Sequence, residues 1–225
     1  MFDFLLSYQF IILLFLFSLI IQWRVTSVIK TFHKEENSLH KTGLEVVEIM
    51  MKQYNIHDVS KAEGKGHWVS DFYDPIKKHI NLSPEVANKT SISALAIAAH
   101  ETGHALQHHA HYFPIKIRNL LYPLARIGSW LGPILLIAGI YFQFSQLLQL
   151  GIYFYAGAVV FTVINLPVEF DASRRAMLWV QTQTAVGTEE SKKIKKLLNA
   201  AAMTYVMAAI ISCLELLRFI VLSRR

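Results

Sequence analysis

Ile127-Gly-Ser-Trp-Leu-Gly-Pro-Ile-Leu-Leu-Ile-Ala-Gly-Ile-Tyr-Phe-Gln-Phe-Ser-Gln-Leu-Leu-Gln-Leu-Gly-Ile-Tyr-Phe-Tyr-Ala-Gly-Ala-Val-Val-Phe-Thr-Val-Ile-Asn-Leu-Pro-Val168 runs for 42 residues without a charged side chain. As helix, that is about 63 Å, enough to cross about 30 Å of hydrocarbon twice with a tight turn between. The patch Gln143-Phe-Ser-Gln146, continuing to Gln149 and Gly151, marks the turn. Phe4 to Trp23 is a further uncharged run of spanning length, and Leu197 to Leu214 another, with Glu215 and Arg218 near its far end. The reading is a mainly α membrane protein with about four transmembrane helices. Four buried core helices in a chain of 225 residues would leave too little polar cover, and an apolar fraction of 53% is high for a soluble protein.

The flanks of these runs set the order of the segments. Residues 1–23 form an anchor, 24–126 a polar region, 127–168 a transmembrane hairpin, 169–196 a second polar segment and 197–222 the last span. The amino end carries Asp3 and no basic residue, and no small-x-small cleavage site precedes Trp23-Arg24, so a retained anchor is expected rather than a signal peptide. Arg24, Lys30 and Lys34 follow the first span; Lys116, Arg118 and Arg126 precede the second. Arg174 and Arg175 follow the third, and Lys192, Lys193, Lys195 and Lys196 precede the fourth. Basic residues at span ends favour the cytosol, which places both polar segments on that side of the membrane. Arg224 and Arg225 run against this bias. The basic excess, a net charge of +6, flanks spans rather than forming a stripe, which excludes nucleic acid as a partner and leaves the bilayer. The single cysteine, Cys213, excludes a disulfide framework or a cysteine zinc site within one chain.

Just upstream of the uncharged run lies His100-Glu101-Thr102-Gly103-His104, an H-E-x-x-H pattern. Ser91-Ile-Ser-Ala-Leu-Ala-Ile-Ala-Ala99 before it gives a helical setting, so both imidazoles leave one face about one turn apart. Two nitrogens so placed share one zinc ion, and Glu101 beside them takes the proton of a water that the ion acidifies. Only eight residues separate Ser91 from His100, and Gln107-His-His-Ala-His111 is too polar to span, so this helix packs at or below the membrane surface. Elsewhere in the polar region, Gly43 to Tyr54 has apolar residues at helical spacing. His67 to Phe72 and Lys78 to Leu82 read as short strands around the Tyr73-Asp-Pro75 turn. Ser83-Pro84-Glu85 reads as a helix start, and Thr90 or Ser91 as the start of the motif helix.

A catalytic zinc usually takes three protein ligands and leaves a position for water. Ala110 and Gln107 stand where metzincins carry their third histidine and midway glycine. His108 lies about 6 Å further along the helix axis than His104, too far to share the ion, so His108, His109 and His111 are surface histidines or partners of the ligands. Just downstream of the uncharged run comes Glu169-Phe-Asp171. Two crossings separate His104 from Glu169, so both lie on the same side of the membrane in either orientation. Glu169 is the third ligand on this reading, with Asp171 the weaker choice and an interfacial acid paired to Arg174 or Arg175 the alternative.

With Glu169 placed, the layout resembles the gluzincins, where H-E-x-x-H is completed by a downstream glutamate. It is more closely similar to the YugP-type membrane-bound neutral zinc metallopeptidases of bacteria. The resemblance rests on the anchor, Gly43-Leu-Glu-Val, Tyr73-Asp-Pro, Leu82-Ser-Pro-Glu85, Ala99-His-Glu-Thr-Gly-His-Ala-Leu-Gln107, Leu166-Pro-Val-Glu-Phe-Asp-Ala-Ser173 and Ala200-Ala-Ala-Met-Thr-Tyr205, in that order. It implies one Zn2+, His100, His104 and Glu169 as its ligands, Glu101 as general base, and a gluzincin-like protease region with a short β-hairpin. More distantly, the chain is similar to integral-membrane proteases of the prenyl-protein and heat-shock type. Those carry an aspartate four residues after the ligand glutamate; here that place is Ser173, with Asp171 two before it. The carboxylate that would orient a ligand histidine is therefore not where those proteins have it.

These residues predict a zinc endopeptidase cleaving protein or peptide substrates, membrane-bound ones included, at the cytosolic face. His108, Tyr112 and Arg174 are the candidates for an oxyanion donor, and the strand from Ile76 to Leu82 for docking an extended substrate. The rival from another class is a non-proteolytic zinc-binding membrane scaffold or assembly factor, whose metal site would be closed by protein. A zinc carrier ranks last, because only Glu215 and Arg218 interrupt the spans.

Overall fold

The computed structural model describes residues 8–64 and 71–224. The anchor residues Phe4 to Ser7 and the strand expected over His67 to Ser70 lie outside the described residues, as does Arg225. Seven helices and three strands follow in order: α1 (Tyr8–Phe32), α2 (Gly43–Gln53), β1 (Ser60–Glu63), β2 (Phe72–Asp74), β3 (His79–Leu82), α3 (Pro84–Ala87), α4 (Ile92–His109), α5 (Phe113–Tyr141), α6 (Ser145–Thr182) and α7 (Thr188–Leu222). Among the described residues, four helices are long and apolar enough to cross a membrane, namely Ile12–Phe32 within α1, and α5, α6 and α7. Large apolar side chains stand open along them, among them Trp23 and Trp130, each 72% exposed. A surface this apolar is soluble only in lipid. This is a mainly α membrane protein with a small sheet.

The chain divides into two compact units, with boundaries at Gln22, Tyr112, Leu166 and Met203. The first draws on Met1–Gln22, Phe113–Leu166 and Thr204–Arg225. In it α5 and α6 form an antiparallel pair that turns through Phe142, Gln143 and Phe144 alone. The turn is shorter than the polar patch suggested: Gln146, Gln149 and Gly151 already belong to α6. Glycines let the two backbones close, since a Cβ on Gly132 would meet Tyr155 N at 3.0 Å and one on Gly139 would meet Leu148 N at 2.6 Å. Such small-residue contacts are what helix pairs in lipid use in place of a hydrophobic driving force. Thr162 and Ser212 share a hydroxyl hydrogen bond of 3.1 Å between α6 and α7.

The second unit draws on Trp23–Tyr112 and Pro167–Met203 and holds the motif helix. α2 begins on a capping box: Thr42 Oγ1 accepts from Glu45 N–H, and the Glu45 carboxylate accepts from Thr42 N–H. Its apolar stripe Val46, Val47 and Met50 is fully buried in one core with Ile80 and Leu82 of β3, Leu95 and Ala99 of α4, and Trp179 of α6. Trp179 Nε1–H, inside this core, donates to Gln53 Oε1 at 2.9 Å. α4 starts at Ser91, whose Oγ accepts from Ala94 N–H at 3.2 Å. Ser83 precedes α3 but does not cap it; its N–H and hydroxyl donate to the Asp71 carboxylate at 2.7 and 3.3 Å.

The sheet has the order β1-β3-β2, with β1 parallel and β2 antiparallel to β3. The hairpin of β2 and β3 is present, but its turn lies at Pro75 to Lys78: Tyr73 and Asp74, expected in the turn, belong to β2, and Lys78, expected in the strand, to the turn. β1 adds to the hairpin a strand that the sequence does not reveal. This placement corrects the docking strand. β3, within Ile76 to Leu82, is the central strand with both ladders already paired, so a substrate cannot add to it.

Candidate metal centre

α4 is buried on nearly every side; from Ala98 to Gln107 only His100 is even half-buried. A run of alanines before the motif makes this possible, since small side chains let the helix sit inside the unit. Gly103 carries the same logic to its limit: a Cβ there would meet the carbonyl oxygen of Ala172 at 2.5 Å, so α4 and α6 touch backbone to backbone beside the motif. Gly103→Ala gains about 1 kcal/mol as a better helix former. It costs about 1–3 kcal/mol by overpacking, and a backbone carbonyl cannot rotate aside. We expect a net loss of thermal stability and of metal affinity, read by melting and by metal content of the purified protein.

The close approach brings Glu169 of α6 to both histidines. Glu169 Oε2 lies 3.3 Å from His100 Nε2 and 3.5 Å from His104 Nε2. The two rings stand edge to face with centroids 4.8 Å apart. One donor atom from each of the three residues lies within 4.8 Å of the others, a set able to hold one metal ion. His108, His109 and His111 take no part in it. The donor chemistry fits a cation: Glu169 is 3% exposed, and a carboxylate buried between two imidazoles needs positive charge to offset its lost hydration.

Each imidazole is held through its other nitrogen. His100 Nδ1 lies 3.1 Å from Ser173 Oγ, so a hydroxyl four residues after Glu169 holds this imidazole. His104 Nδ1 lies 3.0 Å from Gln107 Oε1. The Gln107 amide donates to Val168 O at 2.7 Å and to Asp171 Oδ2 at 3.1 Å. Gln107 Oε1 can only accept, which puts the His104 proton on Nδ1 and leaves Nε2 open toward Glu169. Asp171 is not in the donor set. It receives Arg174 Nη2 and Arg175 Nε, each at 2.6 Å, and Arg175 stacks over the Tyr112 ring. Gln107 stands one turn after His104 and Ser173 one turn after Glu169, so helical spacing was the signal for both. Gln107→Leu removes the acceptor from His104 and the donor from Asp171 in a fully buried place. We expect zinc affinity to fall about 10–100-fold, measured by chelator competition.

Glu101 is 8% exposed. Burial pushes its carboxyl up to about 7, against the pull of His100 and with a further push from Glu169 and Asp71; the Tyr73 N–H of β2 donates to it. The Tyr73 hydroxyl lies 2.7 Å from His108 Nδ1. Burial raises the phenol to about 12 and lowers His108, so Tyr73 donates and a neutral His108 accepts.

A pair of imidazoles converging on one buried carboxylate, on a membrane protein of this layout, has relatives. The sequence profile of the family described as "Putative neutral zinc metallopeptidase" matches residues 7–224. This chain belongs to that family. Within the neutral zinc metallopeptidases, it is similar to "Putative membrane protease YugP" of Bacillus subtilis (strain 168), with 36% identity over 201 residues covering 89% of each chain. No solved structure matches. Membership makes zinc the metal that His100, His104 and Glu169 are positioned to bind, and makes a membrane-associated peptidase the class of activity. Peptide or protein substrates follow from that class.

Proposed function

We propose that this metallopeptidase hydrolyses peptide bonds of membrane-associated or cytosolic-face proteins, using one zinc ion held by His100 Nε2, His104 Nε2 and Glu169. The convergence of three donors, His104 and Glu169 buried and His100 half-buried, with the other nitrogen of each imidazole already engaged, carries this reading. Zinc bound there supplies Lewis acidity toward water and the scissile carbonyl. Glu101 takes the proton from the attacking water and returns it to the leaving amine, with an affinity for protons close to the working pH. Ser173 and Gln107 hold the two imidazoles in place. Of the oxyanion candidates, Arg174 lines a groove between α6 and α7 and Tyr112 lies against Arg175, whereas His108 keeps an Nε2–H once Tyr73 occupies its Nδ1. We assign that role to His108. The substrate strand docks on the outer edge of β2, whose Tyr73 N–H faces Glu101, rather than on β3.

The same reading puts residues 24–126 and 169–196 at the cytosolic face of a bacterial inner membrane, with spans at 1–23, 127–168 and 197–222. Basic residues flanking the spans support it. A scaffold that merely stores zinc is the second reading, and coordination separates the two. X-ray absorption at the zinc edge of the loaded, full-length protein is expected to show two imidazole nitrogens with carboxylate and water oxygens. A fourth protein ligand closing the site would favour the scaffold.

A further inference from the structure

In the second unit, α6 and α7 enclose a groove of about 320 Å³ whose lining changes character across its width. Phe170, Met177 and Leu178 give it an apolar wall, and Phe170 and Leu178 are 49% and 50% exposed. Arg174 of α6 and Lys195 of α7 line the same groove. Both cations stand at the edge of uncharged sequence: Arg174 follows the run ending at Val168, and Lys195 precedes the one starting at Leu197. In a membrane protein, that is the level of lipid headgroups.

The four lysines that open α7 are not equivalent. Lys192 pairs with Glu189, Lys193 with Glu35, and Lys196 lies over the Phe32 ring. Lys195 makes no ion pair among the described residues, and it is the one of the four that lines the groove. Across from it, Asp171 takes both Arg174 and Arg175, so that cluster retains one positive charge. Two uncompensated positive charges beside half-exposed apolar side chains match an ionised phosphate diester attached to hydrocarbon.

We infer that this groove seats an anionic phospholipid, its phosphate between Arg174 and Lys195 and the first part of an acyl chain along Phe170, Met177 and Leu178. The groove borders the metal centre through Ser173, which both lines it and holds His100, but lipid binding there stands whether or not the zinc reading holds. Its test is native mass spectrometry of the delipidated full-length protein titrated with phosphatidylglycerol or phosphatidylcholine. Phosphatidylglycerol is expected to fill one site preferentially, and Lys195→Gln to weaken that binding about fivefold. Gln181→Glu, which sets an acid in the groove, weakens it as well. Lys192→Gln removes the same charge from the same helix outside the groove and leaves binding unchanged. Equal affinity for the two lipids, equal losses in Lys192→Gln and Lys195→Gln, or inorganic phosphate competing as strongly as the lipid would each overturn the proposal.

Discussion

Glu101→Gln keeps its zinc and loses about 10²–10⁴-fold in the rate of peptide-bond cleavage, the contribution of a positioned general base. The amide is nearly isosteric with the carboxylate and still accepts from Tyr73 N–H, so the fold around it is undisturbed. What it lacks is basicity. The acid limb of the pH profile belongs to the same group. A base must be unprotonated to work, so activity falls as pH drops through the value of Glu101. Burial, with smaller opposing effects from His100, Glu169, Asp71 and the Tyr73 N–H, raises that value to about 7. The dication favours the ionised form, so the midpoint in the zinc enzyme is expected at or below about 7. Zinc content by elemental analysis and a stopped peptide assay from pH 5 to pH 9 check both statements. Wild-type cleavage by Glu101→Gln would remove Glu101 from the mechanism.

Glu169→Ala acts one step earlier, by emptying the metal site. Loss of an orienting partner such as Gln107 costs about 10–100-fold in zinc affinity, and loss of a ligand costs more. The remaining imidazoles lose the only carboxylate in the donor set. Zinc is expected to be absent after dialysis against micromolar chelator, and cleavage to fall to background. Glu169→Ala and Glu101→Gln thus fail for different reasons, one without metal and one with it. Asp171→Asn is the informative comparison. Asp171 holds Gln107 and two arginines but lies outside the donor set, so this variant is expected to weaken zinc binding without abolishing it.

Much of this site is legible in the sequence because its parts obey helical spacing and chain topology. His100 and His104 share a face at any reasonable helix geometry. The apolar runs force the chain to cross and return, which brings Glu169 to the side of His104 before any packing is known. At position 173 the sequence offers no carboxylate, yet the Ser173 hydroxyl also accepts from an imidazole N–H. Gln107 stands where a metzincin has glycine, and its role lies instead in reaching His104 one turn away. β1 was invisible for a different reason. Ser60-Lys-Ala-Glu63 contains no β-branched or aromatic residue, and it becomes a strand only by pairing in parallel with β3 across the intervening hairpin. Gly103 shows the same limit, because the Ala172 carbonyl it must clear comes from a helix nearly seventy residues away in sequence.

The most direct test of a membrane zinc peptidase is to label new amino termini in membranes from cells making either the wild-type chain or Glu101→Gln at equal level. Expected is a set of cleaved termini present with the wild type and missing with the variant, with the matching intact proteins accumulating in the variant. Identical terminus profiles in the two membranes, with zinc bound to both proteins, would contradict proteolysis and leave the site a structural zinc centre.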